Sequence, residues 1–334
     1  MDTLINSETE NANTSVQEET APQKPQQEPK LDLERFTDQI KFIRSHMRAL
    51  EKGLTFDVST GVRNHIKEIL NNSALAKIYN ILFLIQEDKS SITSLSRDRI
   101  YSALSALDKT KPILLIISST GGEIEPAYLI SKVCKEYSSK FVVAVPRRAK
   151  SAATLLALGA DEIHMGSISE LGPIDPQINK LPVLALSDSL REICAICSDY
   201  PGSSTLLSRY LSKELTLQHL GYYKRIAESA EEYAKRLLLG KTLPNSTTPE
   251  AIAKILVNGY KDHGFVIDKD EAQKILGASI VKDQTEEYKL ANRIYEFIED
   301  FKSTLGVLLQ DDSFETEVVG EINNFYIRRI DTDT

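Results

Sequence analysis

Residues 113–177 have the sequence ILLIISSTGGEIEPAYLISKVCKEYSSKFVVAVPRRAKSAATLLALGADEIHMGSISELGPIDPQ, and their pattern predicts the core of the fold. Apolar strand-like runs alternate with helix-like segments in the order ILLIIS (113–118), a helix over 123–137, FVVAVP (141–146), a helix over 151–159, and EIHMG (162–166). Runs that are apolar at successive positions are typical of strands buried on both faces of a parallel sheet. Strands joined through helices by short links indicate right-handed crossovers, so we predict an α/β fold with a parallel sheet.

A glycine pair and a serine follow the first two strands of this pattern. Gly121 and Gly122 lie between the first strand and its helix, and Ser151 begins the helix after the second strand. Sites in parallel sheets form beyond the carboxyl ends of the strands. The backbone amides of Gly121, Gly122 and Ala152 would suit a developing oxyanion, and the Ser151 hydroxyl would suit a nucleophile. Each feature alone also has a structural explanation, because tight turns favour glycine and helix N-termini favour serine.

The general base is harder to identify from the residue pattern. The chain has five histidines, which are His46, His65, His164, His219 and His263. The first four lie in segments that resemble helices or strands, where packing or surface roles are typical. His263 lies in the loop KDHG (261–264) beside Asp262, and loops often carry reactive residues. Lys150 is a second candidate, because a lysine removed from water can act as a base.

Composition and charge exclude several classes of function. The formal net charge of −8 argues against nucleic acid or an anionic membrane as the main partner. The apolar runs are far shorter than the roughly 20 residues of a membrane-spanning helix, and the N-terminus lacks a signal pattern. Cys194 and Cys197 form a single C-x-x-C with no nearby histidine, which favours two thiols on one helical turn over a zinc site. We therefore predict a cytoplasmic protein with no metal and no cofactor.

Helical patterns surround the central stretch. Apolar spacing predicts a helix within 31–50, a strand over 81–86, helices over 97–107, 188–197, 206–239, 249–260, 269–276 and 286–309, and a terminal strand or hairpin within 313–330. The Thr-Pro-Glu sequence at 248–250 is typical of a helix N-terminus.

Three strings in the central stretch resemble one protein family. SSTGGEIEPAYLI (118–130), AKSAATLLALGADEI (149–163) and SELGPIDPQ (169–177) are similar to the serine dehydrogenase proteinase family. That family belongs with the Clp protease proteolytic subunits, signal peptide peptidase A and the crotonases. The resemblance is dense over about 110–180 and looser over about 206–280.

The resemblance implies a Clp/crotonase-like spiral ββα core that assembles into a homo-oligomer. It implies that Gly121 and Gly122 form the oxyanion turn and that Ser151 is the nucleophile. The histidine of the Clp subunits would fall near 171–173, where this chain has Leu-Gly-Pro. The segment 261–265, which leads into Asp-Glu-Ala, is similar to the segment with the Clp aspartate, so Asp262 or His263 would lie near Ser151. A Ser-Lys dyad like that of signal peptide peptidase A would need Lys150 or Lys241 instead.

We predict a serine peptidase that hydrolyses peptide bonds through an acyl-enzyme on Ser151. The first choice of base is His263, oriented by Asp262, and the second is a lysine, Lys150 or Lys241. Three alternatives remain open: a crotonase-like acyl-CoA enzyme, a non-catalytic oligomeric scaffold, and a regulatory peptidase gated by a partner ATPase or sensor. The chain has no G-x-G-x-x-G turn, which argues against a dinucleotide cofactor, and no P-loop, so any unfolding power would come from a partner ATPase.

The chain divides into four predicted regions. Residues 1–30 are polar, and we predict a disordered tail through which a regulatory partner could bind. Residues 31–110 form an N-terminal helical region that leads into the core. Residues 111–280 form the peptidase domain, and residues 281–334 add a C-terminal helix and a terminal strand, so the fold carries additional helices at both ends.

Overall fold

The computed structural model describes residues 31–178, 181–214 and 217–330, without the side chains of 177–188 and 214–224. The predicted disordered tail, residues 1–30, lies outside the described residues. The helices are α1 Phe36–Leu50, α2 Phe56–Asn71, α3 Leu75–Ile78, α4 Ser94–Ser105, α5 Ile124–Glu136, α6 Ala152–Leu158, α7 Val183–Asp199, α8 Ser204–Glu214, α9 Leu217–Leu238, α10 Pro249–Asn258, α11 Lys269–Leu276 and α12 Glu286–Leu309. Short 3-10 turns occur at Pro201–Ser203, Pro244–Ser246 and Ile322–Asn324.

The strands form one large sheet and two small ones. They are β1 Asn80–Ile85, β2 Ile113–Ser118, β3 Phe141–Val145, β4 Arg148–Ala149, β5 Glu162–Met165, β6 Glu170–Leu171, β7 Gln177–Ile178, β8 Leu181–Pro182, β9 Ile267–Asp268, β10 Val281–Asp283, β11 Phe314–Gly320 and β12 Tyr326–Arg329. The large sheet has the order β10-β5-β3-β2-β1-β11-β12. Its first five strands are parallel, and β11 and β12 add an antiparallel hairpin beside β1.

The sheet is covered by helices on both faces, which explains why its central strands are apolar at successive positions. Every residue of β2 is buried. Leu115 and Ile117 face a core built with α4, α5, α6, α9 and α10. Leu114 and Ile116, which alternate with them, face a second core built with α1, α2 and α12. A strand with two buried faces cannot show the apolar–polar alternation of a half-exposed strand.

The predicted fold class is confirmed, since the protein is α/β with a mostly parallel central sheet and extra helices at both ends. The predicted strands of the central stretch agree with β2, β3 and β5 to within one residue. The terminal segment forms the hairpin β11–β12. The predicted helix over 188–197 is longer in the structure, where α7 spans Val183–Asp199. The predicted helix over 206–239 corresponds to α8 and α9, and residues 215–216 between them lie outside the described residues.

A small sheet that the sequence did not predict positions the candidate site. Strand β4 pairs with β6, and β6 pairs antiparallel with β9. Strand β4 immediately precedes Lys150 and Ser151, β6 immediately precedes the GPIDPQ segment (172–177), and β9 follows the loop that carries His263. Because these strands are hydrogen-bonded neighbours, three segments that are distant in sequence meet at the carboxyl ends of β2 and β3.

Candidate active site

Ser151 adopts a backbone conformation that is rare for a residue with a side chain. Its φ is 52° and its ψ is −119°, and it lies at the N-cap position of α6 without a capping hydrogen bond from its side chain. Such a conformation costs on the order of 1–3 kcal/mol and persists only where the surroundings enforce it. The Ser151 carbonyl accepts from Leu155 N at 3.0 Å, and all seven residues of α6 are buried. The conformation therefore does not serve helix capping, and it leaves the hydroxyl available.

The glycine turn lies directly against Ser151. A Cβ added to Gly121, whose φ is 115°, would lie 2.8 Å from the Ser151 Cβ and 2.8 Å from the Lys150 carbonyl oxygen. A Cβ added to Gly122, whose φ is 147°, would lie 2.3 Å from the Ile92 carbonyl oxygen. Any side chain at either position would therefore collide with backbone. The two glycines permit the close approach of the turn to the serine on one side and to Ile92 on the other.

The amides of the turn point in different directions. The Gly121 N–H donates to the Ser119 Oγ at 3.1 Å, so this amide is not free for a substrate. The Gly121 carbonyl and the Glu123 N–H bond to Ile92, each at 2.8 Å. These two bonds form a parallel bridge between Ile92 and Gly122, in which only the residues before and after Gly122 bond to Ile92, so the Gly122 N–H points away from Ile92. Among the described residues no acceptor faces the N–H of Gly122 or that of Ala152, the first residue of α6.

Lys150, a candidate base, is engaged elsewhere. Its Nζ lies 3.2 Å from the Glu170 Oε1 and donates to the Gly264 carbonyl at 3.2 Å. The side chain therefore extends toward β6 and the loop before β9. The Lys150 ammonium therefore links β6 to the loop that contains His263.

Lys241, the other candidate lysine, lies at the opposite end of α6 from Ser151. Its ammonium donates to the Ala160 carbonyl, just beyond the C-terminus of this helix. The seven residues of α6 span about 10 Å. Burial lowers the pKa of Lys241 to about 8. This lysine caps the far end of the helix, and the structure does not bring it to the serine.

His263 faces a carboxylate that the sequence reasoning missed. Its Nδ1 lies 3.7 Å from the Asp175 Oδ2, and Asp175 is 7% exposed. The His263 Nδ1 and the Asp175 Oδ1 are both buried, and neither has a hydrogen-bond partner within the described parts of the chain. Asp262, predicted to orient His263, instead accepts from the Gly264 N–H at 3.1 Å and shapes its own loop. Of the two carboxylates, Asp175 faces the His263 ring, whereas Asp262 bonds within its own loop.

The GPIDPQ segment that carries Asp175 is fixed to the first turn of α6. The Gly172 N–H donates to the Thr154 Oγ1 at 3.0 Å, and the Thr154 hydroxyl lies 2.5 Å from the Ala149 carbonyl. Thr154 is fully buried. These bonds tie Gly172, three residues before Asp175, to Thr154 and Ala149, which lie close to Ser151 in the sequence. The only sequence signal for Asp175 was its place in the string SELGPIDPQ, in which the histidine expected near 171–173 is absent.

His164 has the structural role that was predicted for it. It lies on β5 with its Nδ1 2.6 Å from the Thr285 Oγ1, and its ring is flanked by the carboxylates of Glu162 and Glu287. The side chain is 4% exposed, and burial is the largest influence, lowering the pKa of the imidazole. This histidine joins β5 to the start of α12.

A cleft of about 590 Å³ lies beside the candidate site, at the carboxyl ends of β1 and β3. Its lining includes Glu87, Arg148, Glu170 and Tyr295. Arg148 lies on β4, three residues after the end of β3, and Glu170 is the partner of Lys150. Ser151 is not among the residues that line this cleft, so the cleft lies beside the candidate nucleophile and does not enclose it.

One group of side chains has the chemistry of metal ligands among the described residues. The ligand atoms of Asp32, Glu34 and His65 lie within 4.8 Å of one another. Both Glu34 oxygens are bonded to the Arg293 guanidinium, at 2.7 and 3.0 Å. A guanidinium already supplies the positive charge at this carboxylate, so the geometry gives no reason to place a metal there. Cys194 and Cys197 both lie on α7, three residues apart, in agreement with the predicted helical position of the pair.

Comparison with known proteins finds one matching family model and two similar proteins. Residues 87–201 match the family model described as ClpP-like SDH-type serine proteinase. Two uncharacterized proteins of Methanocaldococcus jannaschii are 30% and 27% identical to the chain over 207 and 219 residues. The alignments cover 61% and 64% of this chain and 66% and 65% of the relatives, so the chain spans slightly less than two thirds of their length.

A solved structure with a related description is a variant of the 1510-N membrane-bound stomatin-specific protease. It is 15% identical, with a TM-score of 0.38, and the match covers 77% of this chain and 95% of that one. In the described part of the present chain, no helix is both long and apolar enough to cross a bilayer.

Proposed function

Because residues 87–201 match the family model described as ClpP-like SDH-type serine proteinase, we propose that the protein is a serine peptidase with Ser151 as its nucleophile. The observation that carries the proposal is the conformation of Ser151. A serine held at positive φ, without a capping bond, lies against a glycine turn whose Gly122 amide has no acceptor in the described structure. A hydroxyl beside unsatisfied amides has the arrangement that acyl transfer requires.

In the proposed reaction, the Ser151 Oγ attacks the carbonyl carbon of a peptide bond and forms a new C–O bond. The N–H groups of Gly122 and Ala152 stabilise the negative charge that develops on the carbonyl oxygen. This assignment keeps two of the three predicted oxyanion residues and leaves out Gly121, whose amide is bound to Ser119. Preorganised donors of this kind contribute about 2.7–4 kcal/mol each in known cases.

We assign His263 as the base. Its Nδ1 faces Asp175, so its Nε2 is the nitrogen that would take the Ser151 proton and pass it to the departing amine. A water molecule would then attack the acyl-enzyme with the same histidine as base. The 3.7 Å separation in the unliganded chain would shorten as the imidazolium forms, because charge strengthens the pairing with the carboxylate.

The test is labelling by a fluorophosphonate probe, which reacts with activated serines. Wild type should label, and Ser151→Ala should not, whereas Ser167→Ala, at an exposed loop serine, should label like wild type. Absence of labelling of the wild type between pH 6 and 10 would overturn the assignment of the nucleophile. Protection of the fold by coenzyme A in a thermal-shift assay would support the crotonase-like alternative instead.

The base is tested separately with matched carboxylate variants. His263→Gln and Asp175→Asn should each slow labelling by about 10²–10⁴, the usual contribution of general base catalysis. Asp262→Asn should have a small effect, because its carboxylate bonds only to its own loop in the described structure. If Asp262→Asn slowed labelling and Asp175→Asn did not, Asp262 would be the carboxylate that orients His263, as the sequence predicts.

The predicted partners stay predictions. We propose a peptide or protein substrate, a homo-oligomeric assembly and a regulatory partner for the tail, without nucleic acid. Sedimentation of the full chain, with and without residues 1–30, would measure the assembly and the contribution of the tail to it.

A further inference from the structure

Gln86 lies at the centre of a buried hydrogen-bond network behind the glycine turn. It follows β1 directly and is 2% exposed. Its Nε2 donates to the Glu317 Oε1 at 2.8 Å and to the Ser91 carbonyl at 3.0 Å. Its Oε1 accepts from the Ser119 hydroxyl at 3.3 Å. Both hydrogens and the oxygen of the amide are therefore used, which fixes the orientation of this side chain.

The first branch of the network leads to Gly121. The Gly121 N–H donates to the Ser119 Oγ at 3.1 Å, and the Ser119 hydroxyl donates in turn to Gln86. Ser119 is fully buried. Its backbone also holds the segment before the nucleophile, because the Lys150 N–H donates to the Ser119 carbonyl at 3.0 Å. Ser119 thus joins the glycine turn to the approach of Ser151.

The second branch supports the turn from the other side. The Ser91 carbonyl is held by Gln86, and the next residue, Ile92, makes the two backbone bonds to Gly121 and Glu123 that flank Gly122. One amide side chain therefore fixes both neighbours of the Gly122 peptide. The Gly122 N–H itself points away from Ile92 and makes no hydrogen bond within the described residues.

The network ends on a carboxylate of the C-terminal hairpin. Glu317 lies on β11, is 8% exposed, and has its Oε2 3.6 Å from the Arg99 guanidinium. A buried carboxylate is a strong acceptor, and it selects the orientation in which the Gln86 NH₂ faces β11 and the oxygen faces Ser119. Gln86 and Glu317 both lie outside residues 87–201, the segment that matches the family.

We propose that Gln86 is a positioning residue of the oxyanion turn, oriented by Glu317 of the C-terminal hairpin. This proposal rests on the proposed function and deepens it. By holding the Gly121 amide on Ser119, the network sets the direction of the Gly122 amide toward the substrate carbonyl. A donor must already point at the developing charge to contribute fully, so loss of the network acts on the acylation rate and leaves initial substrate binding unchanged.

The test compares two buried glutamines. Gln86→Met removes the network, whereas Gln39→Met removes another buried amide, 3% exposed, which bonds to Leu33 and Thr304 away from the turn. Both variants should lose stability, so labelling is measured below both unfolding transitions. Gln86→Met should reduce the maximal rate of fluorophosphonate labelling at least about tenfold, with the half-saturating probe concentration unchanged, whereas Gln39→Met should stay within about twofold of wild type.

Two substitutions of Glu317, one that keeps an acceptor and one that removes it, test its role in orienting Gln86. Glu317→Gln retains an acceptor for Gln86 and should keep most of the rate, whereas Glu317→Leu should behave like Gln86→Met. Equal maximal rates for Gln86→Met and Gln39→Met would overturn the positioning role while leaving Ser151 as the nucleophile. A wild type that does not label would overturn the proposed function and, with it, the catalytic part of this inference.

A measurement that does not depend on activity separates these cases. In amide NMR spectra, the Gly121 proton should shift upfield in Gln86→Met and in Ser119→Ala, because its acceptor is disturbed or removed. It should not move in Gln39→Met. An unchanged Gly121 resonance in Ser119→Ala would show that the network does not hold the turn in solution.

Discussion

Ser151 and Gly122 are each restricted by the local backbone, Ser151 by a strained conformation and Gly122 by the lack of room for a side chain. The serine carries a side chain at positive φ, which is costly, and the glycine occupies a position where any side chain would meet backbone. The strain at Ser151 is held by the buried helix that follows it and by the Lys150 N–H bond to Ser119. Local geometry thus requires glycine at position 122, whereas the strain at Ser151 persists because the surrounding structure enforces it.

The collision of a side chain at Gly122 with Ile92 can be measured by comparing substitutions at two glycines. Gly122→Ala should destabilise the protein by more than about 3 kcal/mol, because positive φ and a backbone collision with Ile92 act together. Gly240→Ala is the matched control, since Gly240 also has positive φ, 78°, but an added Cβ would have no neighbour within 4 Å. It should cost only about 1 kcal/mol. Urea unfolding of the two variants measures the difference, and equal losses would contradict the collision.

The residues of the site were not equally predictable from sequence. Gly121, Gly122 and Ser151 stand at strand–helix junctions, so the alternation of apolar runs was enough to place them together. Asp175 could not be found in this way, because its proximity to His263 arises from the pairing of β6 with β9. Two-residue strands carry no periodic pattern, and the antiparallel contact joins segments that are distant in sequence.

At the scale of elements, the two ends of α6 have opposite electrostatic potentials. Its N-terminus begins after Ser151, where the helix contributes positive potential to the candidate site. Beyond its C-terminus, the Ala160 carbonyl accepts from Lys241, as the negative end of a helix favours a cation. All of the helix between them is buried, which is why its sequence is almost wholly apolar and was predicted as a buried helix.

The buried ammonium at this helix end makes stability depend on pH. Burial lowers the pKa of Lys241 to about 8 in the folded chain, below the ordinary value of 10.5. Between these two pH values the unfolded chain binds more protons than the folded one, so this lysine makes stability rise with pH. Below about pH 8 Lys241 is charged in both the folded and the unfolded chain, so the full cost of burying its charge lowers the free energy of unfolding.

We therefore expect the free energy of unfolding of wild type, relative to Lys241→Met, to increase by on the order of 1–2 kcal/mol between pH 7.5 and 10. Lys132→Met provides the control, because Lys132 is exposed and lines the same small pocket as Lys241. Urea titrations at several pH values measure both differences. A wild-type-minus-Lys241→Met difference that stays flat, or that falls with pH, would contradict the burial of this ammonium.

At the scale of the whole molecule, the family segment is only part of the folding unit. Strand β1 lies in the middle of the large sheet, between β2 and β11, yet it precedes residue 87. The core on one face needs α9 and α10, and the core on the other needs α1, α2 and α12. None of these six elements falls within residues 87–201. The family match covers only the central stretch, whereas the cores on both faces of its sheet are built with elements of the flanking regions.

This dependence predicts the behaviour of fragments. A fragment of residues 87–201 should not fold, because β2 would lose its β1 neighbour and the strands β2 and β3 would expose both faces to water. A fragment of residues 31–330 retains every element of the described structure and should unfold cooperatively, with the same urea midpoint as the full chain. Circular dichroism during urea titration measures both. Cooperative unfolding of the shorter fragment would mean that the central stretch forms its own core, and the hairpin that carries Glu317 would then be an addition to the fold rather than a support of the site.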